Sequence, residues 1–183
     1  QTAKRLTAIV VDKTGTVTKG EPELTDIVTT GSFNEEELLR LAASLEKGSE
    51  HPLGEAIVNG AASRSLALED ATHFKAIPGH GVKGEVEGRN VLLGNKKLLA
   101  DWSIDSSSLD ELWTELATQG KTPMYVAVDD QLAGLIAVAD TIKEDSAASI
   151  KELQDMGLAV IMLTGDNQRT AAAIASQVDI NRV

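Results

Sequence analysis

A chain of 183 residues with 42% hydrophobic side chains can bury one good core or two small ones and is too apolar to be disordered. Its formal charge of −11, from 28 acidic against 17 basic residues, argues against a nucleic-acid partner, which needs a basic face. The absence of cysteine rules out disulfides and thiolate metal sites.

Leu6-Thr7-Ala8-Ile9-Val10-Val11 is a short, largely β-branched run, which predicts a buried strand of a parallel sheet. Asp26-Ile27-Val28 is strand-like, and Ser32-Phe33-Asn34-Glu35 has the pattern of a capping box opening a helix through Leu38, Leu39, Leu41, Ala42 and Leu45. A second helix is expected at His51-Pro52, with Pro52 near the first helical position, where its missing N–H costs little. Residues 72–94 alternate apolar and polar side chains around the turn Glu87-Gly88-Arg89-Asn90, as short antiparallel strands do. Helices are expected near 95–102 and 108–119, where Trp102 and Trp113 fall among leucines and are expected in the core. A hairpin follows over 124–138. Lys143–Met156 has helical spacing with Ile150 and Leu153 inward. Leu158–Leu163 is a continuous apolar run, hence a buried parallel strand, and Thr170–Gln177 is helical again. The two ends therefore look like halves of one parallel α/β domain around an antiparallel α+β insert, with hinges near 20–23 and 137–141. No apolar stretch approaches the ~18 residues of a spanning helix. Gln1-Thr2-Ala3-Lys4-Arg5 leads into the first strand without a signal-peptide pattern.

Two strings stand at the C-terminal ends of the parallel strands, where open α/β sheets place their ligand site. Asp12-Lys13-Thr14-Gly15-Thr16 follows the first, and Thr164-Gly165-Asp166-Asn167 follows the second. Each has a plain reading, as a turn and as a helix cap. Each also suits an anionic ligand: Gly15 allows close backbone approach after the first strand, and a helix start after the second favours anions.

The five residues from Asp12 resemble the phosphorylation signature of the P-type ATPases, cation pumps of the haloacid dehalogenase superfamily. Thr164-Gly165-Asp166 resembles the same pumps' Thr-Gly-Asp motif, and Asp140-Thr141-Ile142-Lys143 resembles their hinge segment. The resemblance implies that ATP phosphorylates Asp12, with Lys13 adding positive charge and Asp12 and Thr14 as magnesium ligands. It also implies that Thr164 holds the transferred group, that Gly165 belongs to the same catalytic motif, and that Asp166 lies beside the nucleotide. Phosphatases of the superfamily place a second Asp two residues after the nucleophile as acid/base; Thr14 cannot do that work at neutral pH, so an aspartyl-phosphate should persist. The insert resembles the nucleotide-binding domain of heavy-metal (type IB) pumps through Ser49-Glu50-His51-Pro52-Leu53, Glu46, Gly79-His80-Gly81 and Gly94-Asn95. By that resemblance Glu46, His51, Gly79, Gly81, Gly94 and Asn95 bind ATP. A neutral imidazole can stack on a purine, a carboxylate can accept from its exocyclic amine, and glycines let backbone approach ribose and phosphate. Taken singly, a His at a helix start is more often a capping or surface residue, and turns supply Gly-x-Gly freely. His73 shows no metal-binding spacing with His51 or His80.

The expected fold is thus α/β: a haloacid-dehalogenase-like parallel-sheet phosphorylation domain over 1–21 and 138–183, and an inserted antiparallel α+β nucleotide-binding domain over 22–137. The family's pattern continues with a later Lys and a Gly-Asp-Gly-x-Asn-Asp segment, neither of which occurs before Val183. The phosphorylation domain is therefore expected to be incomplete, and the chain as given to bind ATP with little or no turnover. The implied partners are ATP, magnesium, the transmembrane and actuator domains of a pump on the cytoplasmic face of a membrane, and an ion bound outside this chain. Ser44–Pro52 looks most like copper(I) pumps, with zinc and cadmium pumps as alternatives. A soluble phosphatase with a cap domain, a nucleotide sensor and a potassium pump are the competing readings.

Overall fold

The computed structural model describes residues 6–165 and 168–183; the side chains of residues 168 and 169 are not described. Two compact units emerge. The first takes the described residues of Gln1–Glu21 with Thr118–Gly120 and Asp140–Val183; the second takes Pro22–Ala117 and Lys121–Ala139.

In the first unit, β1 (Ala8–Asp12) pairs in parallel with β8 (Ala159–Leu163), from Ala8↔Ala159 to Asp12↔Leu163. Helices α5 (Ser146–Asp155) and α6 (Gln168–Gln177) pack on one side of this pair, where Ile150, Val160, Met162, Ala171 and Ile174 form a core with Val17. The other side is open: Val10 is 59% and Leu163 62% exposed. The expectation that both strands are buried therefore needs correction. Two helices cover one face, and among the described residues no element covers the second. Helix α5 also begins at Ser146 rather than Lys143: the chain first turns over Lys143–Ser146, with the Ser146 N–H donating to the Lys143 carbonyl at 3.1 Å.

The second unit is built on a sheet ordered β2-β7-β6-β5-β4-β3. Its strands are β2 (Thr18–Thr29), β3 (Thr72–Ile77), β4 (Gly81–Val86), β5 (Arg89–Gly94), β6 (Thr122–Val128) and β7 (Gln131–Ile142), antiparallel from β7 to β3. The stretches 20–23 and 137–141, where the chain passes from one unit to the other, lie inside β2 and β7. Helices α1 (Glu35–Glu46) and α2 (Pro52–Ser63) share a core with Val91, Leu93, Val126 and Val128. Helices α3 (Lys96–Asp101) and α4 (Asp110–Thr118) share another with Leu92, Tyr125 and Ala127. Odd and even residues of β5 and β6 thus feed opposite cores, as the pleat requires. A central strand buried on both faces reads as continuous apolar sequence.

Helix α1 is capped by Asn34, whose Oδ1 accepts from the N–H of Glu37 at 2.9 Å, two residues later than the expected Ser32. Asn34 stands directly before three glutamates that suit a first turn. On the opposite layer, Asp110 fastens α4 to β6. Its Oδ1 accepts from Tyr125 Oη at 2.8 Å and Ser106 Oγ at 3.0 Å, and Lys96 pairs with its Oδ2. These donors, Lys96 first, hold the Asp110 carboxyl below the usual range. Trp113 lies parallel to Tyr125 with centroids 6.5 Å apart and donates Nε1–H to the Pro123 carbonyl at 2.9 Å.

Gly134 in β7 has no room for a side chain: a Cβ there would meet Val28 O at 2.1 Å and Leu38 Cδ2 at 2.7 Å. Gly134→Ala is expected to cost about 1–3 kcal/mol through overpacking. Chemical denaturation should show a lower midpoint with an unchanged slope, and an unchanged midpoint would contradict the packing described.

Candidate functional site

In the second unit, the end of α1 and the start of α2 bring two polar side chains together. His51 caps α2: its Nδ1 accepts from the Leu53 N–H at 3.2 Å, which leaves Nε2 to carry the proton. Its own N–H donates to Ser49 Oγ at 3.2 Å. Glu46, in the last turn of α1, is only 6% exposed. Burial raises its carboxyl pKa above the ordinary value; a hydrogen bond from Ser49 and the nearby His51 oppose this in part. Its Oε2 is buried and without a hydrogen-bond partner. Gly54 of α2 leaves the space the carboxylate occupies, since a Cβ there would lie 2.5 Å from Oε2. A buried acceptor left unpaired is costly, and such groups mark sites completed by something else.

The glycine loop is a turn over Ile77-Pro78-Gly79-His80, closed by His80 N–H to Ile77 O at 2.9 Å. Pro at its second position and Gly79 at φ 73° at its third match a type II turn. Asn95 caps α3 through Oδ1, accepting from the N–H groups of Lys97 and Leu98 at 3.0 and 3.2 Å. Its Nδ2 donates to Gly79 O at 2.8 Å, and its backbone N–H to His80 O at the same distance. Gly81 and Gly94 face each other in the β4–β5 register. A Cβ on Gly81 would lie 2.2 Å from Leu93 O, and one on Gly94 2.2 Å from His80 O. These two glycines thus have an internal reason to lack a side chain, whereas Gly79 faces open space.

Glu46, His51, Gly79, Gly81, Gly94 and Asn95 all line one cleft of about 720 Å³. Its walls also include Phe74, Val82, Trp113, Pro123 and Met124, which sequence reasoning did not place there. Trp113 belongs in part to the expected core, and in part to this wall.

In the first unit, Asp12 is the exposed last residue of β1, and Thr14 and Gly15 are exposed beyond it. The loop they begin is tied down from below. Asp140 accepts from Thr18 Oγ1 at 2.5 Å and from the Gly20 N–H at 2.8 Å, and Lys13 Nζ lies 3.6 Å from its Oδ2. Lys13 is only 7% exposed, so its ammonium is turned inward to Asp140. Lys143 Nζ donates to Gly15 O at 2.5 Å, and Ser146 Oγ to Val17 O at 2.8 Å. Because Asp12 is in register with Leu163, the next residues, Thr164 and Gly165, leave β8 at the same sheet end as Asp12. Asp166 lies outside the described residues. Thr18 and Ser146 were missed by sequence reasoning; Asp140 was visible only as part of the hinge segment. Among the described residues, no cluster of three His, Cys, Asp or Glu could hold a metal ion.

Residues 6–183 match the model of the haloacid dehalogenase-like hydrolases. The chain is 53% identical over 175 residues to a copper-transporting P-type ATPase of Rhizobium leguminosarum bv. viciae, covering 96% of this chain and 21% of that protein. It is 47% identical over 179 residues to a copper-exporting P-type ATPase of Bacillus subtilis (strain 168), covering 98% and 22%. It also resembles the crystal structure of a zinc-transporting PIB-type ATPase in the E2.Pi state, with a TM-score of 0.90 and 37% identity over 98% of this chain and 29% of that one. The chain spans about a fifth of the length of the curated relatives it matches.

Since burial raises the Glu46 pKa, folding works against its ionised form. That penalty is absent below the ordinary carboxylate pKa and complete above the raised one. Glu46→Gln is therefore expected to raise the melting temperature of the ligand-free chain at neutral pH, with a gain that fades as the pH falls toward 4.5. A variant that melts lower than the parent at neutral pH would contradict this.

Proposed function

Because this chain belongs to the haloacid dehalogenase-like hydrolase family, within its P-type ATPase branch, we propose that it is the ATP-binding and phosphorylation region of a heavy-metal pump that exports copper(I). The observation that carries the reading is the unpartnered, buried Glu46 oxygen in the cleft it shares with His51, Gly79 and Asn95. An adenine amine is the donor that oxygen lacks. The His51 ring offers its face to the purine, and Gly79, with open space where a Cβ would point, allows close backbone approach.

At the other site, a carboxylate oxygen of Asp12 attacks the γ-phosphorus of ATP, the bond from that phosphorus to the bridging oxygen breaks, and ADP leaves. The product is an acyl phosphate. Thr14 offers no carboxylate to activate water, so the acyl phosphate lasts long enough to drive a later step. The Thr164 hydroxyl and Gly165 backbone, at the same sheet end, are assigned to the transferred group. Asp140 acts from behind by fixing Lys13, Thr18 and Gly20, and with them the path of the loop. The Asp12 carboxylate and Thr14 are hard oxygen donors of the kind magnesium takes, one carboxylate with phosphate and water completing the shell. When bound there, magnesium offsets the repulsion between carboxylate and phosphate. Transmembrane and actuator domains would complete the pump at the cytoplasmic face of a membrane. Zinc is the alternative cargo, favoured by the fold likeness to a zinc transporter.

In the full-length pump, labelled ATP should give an acid-stable, hydroxylamine-labile phosphoprotein that Asp12→Asn abolishes; labelling that survives the substitution would refute the assignment. Phosphorylation stimulated by copper(I) and not by zinc would support the cargo, and the reverse would overturn it. On the 183-residue chain, calorimetry should show His51→Gln losing roughly 1–3 kcal/mol of ATP affinity, the range for base stacking. Unchanged affinity would remove the imidazole from the site.

A further inference from the structure

Phe74 leaves an aromatic ring 42% exposed on the edge strand β3, a placement that sheets ordinarily guard against. Neither hydrophobic core of the unit includes it. The backbone around it is irregular. Thr72 pairs with Glu85 and Lys75 with Lys83, so His73 and Phe74 together stand opposite Gly84 in a bulge. His73 takes a φ of 53° there, uncommon for a residue with a side chain. Bulges re-aim side chains, often beside functional sites. Here the re-aimed ring joins the wall of the cleft that holds Glu46 and His51. Gly84 explains how it comes close: a Cβ there would meet Leu45 Cδ1 at 2.8 Å and Phe74 Cα at 3.4 Å. Phe74 is thus one missing side chain away from Leu45, the neighbour of Glu46.

We propose that Phe74 is a base platform, its ring packing on the face of the purine whose amine donates to Glu46, with His51 as the second aromatic contact. The proposal rests on the nucleotide reading of the cleft and adds a residue and a division of labour to it. Stacking is tolerant of base identity, since every base has a π-face. A single acceptor is not tolerant, because adenine presents an amine where guanine presents a carbonyl. Phe74 therefore supplies grip and Glu46 supplies choice.

Calorimetry on the 183-residue chain with ATP, GTP and inorganic triphosphate tests this. Phe74→Ala is expected to weaken ATP and GTP alike, by about 5- to 150-fold, keeping their ratio and leaving triphosphate unaffected. Glu46→Gln is expected to change the ratio. Phe74→Trp should restore affinity, which a merely structural role for the ring would not predict. If Phe74→Ala fails to fold, Phe74→Leu and Phe74→Trp decide: weaker binding by the leucine variant supports the platform, and equal binding overturns it. Undiminished ATP affinity in Phe74→Ala also overturns it, and leaves the site reading standing when His51→Gln still weakens binding. A parent chain that does not bind ATP overturns both.

Discussion

Gly81 and Gly94 pass so close that neither strand has room for a Cβ at that point, and the shape of the cleft follows from this contact. With β4 and β5 drawn together, the turn before β4 and the helix after β5 become neighbours. Asn95 then reaches Gly79 and holds the turn open-side outward. The same residue caps α3, so the position of the turn and the start of the helix are settled by one side chain. The cleft mouth is backbone held by the side chain and the main chain of Asn95, which suits a surface that must meet a polar ligand without moving first.

Two carboxylates, part-buried Asp140 in one unit and buried Glu46 in the other, show how differently the same group can be used. Asp140 has donors on both oxygens and an ammonium beside it, and it spends them on organising a loop. Glu46 keeps one oxygen unpaired in a nearly closed space. The first is a finished piece of scaffold. The second carries an unmet demand, and the free energy withheld from the resting fold becomes available when a donor arrives. Lys13 belongs with the first pattern: its ammonium is turned to Asp140, so the charge that a motif places beside phosphate is engaged in shaping the loop.

Much of the site was legible because its residues stand where elements meet. Glu46 and His51 lie at a helix end and a helix start, Gly79 in a turn, and Gly94 and Asn95 at a strand-to-helix junction. At such points backbone demands narrow the choice of residue, so the string carries information. Phe74, Trp113 and Met124 enter the cleft from a bulge, from the second helical layer and from mid-strand. No periodicity announces which side chains reach around the end of a sheet. The parallel pair β1–β8 was found but its burial overstated, because an apolar run shows that a strand can be covered on both faces, not that it is. The alternation of β5 and β6 between two cores was hidden for the converse reason: both faces are apolar.

The pairing of Trp113 with Tyr125 has an optical consequence. Trp113 borders the cleft and is held rigid by its bond to Pro123, while Trp102 sits under Lys83 and borders none of it. Excitation energy absorbed by the adjacent phenol passes readily to an indole at that separation. Ultraviolet emission from the unlabelled protein therefore divides into a silent component and one that watches the cleft fill.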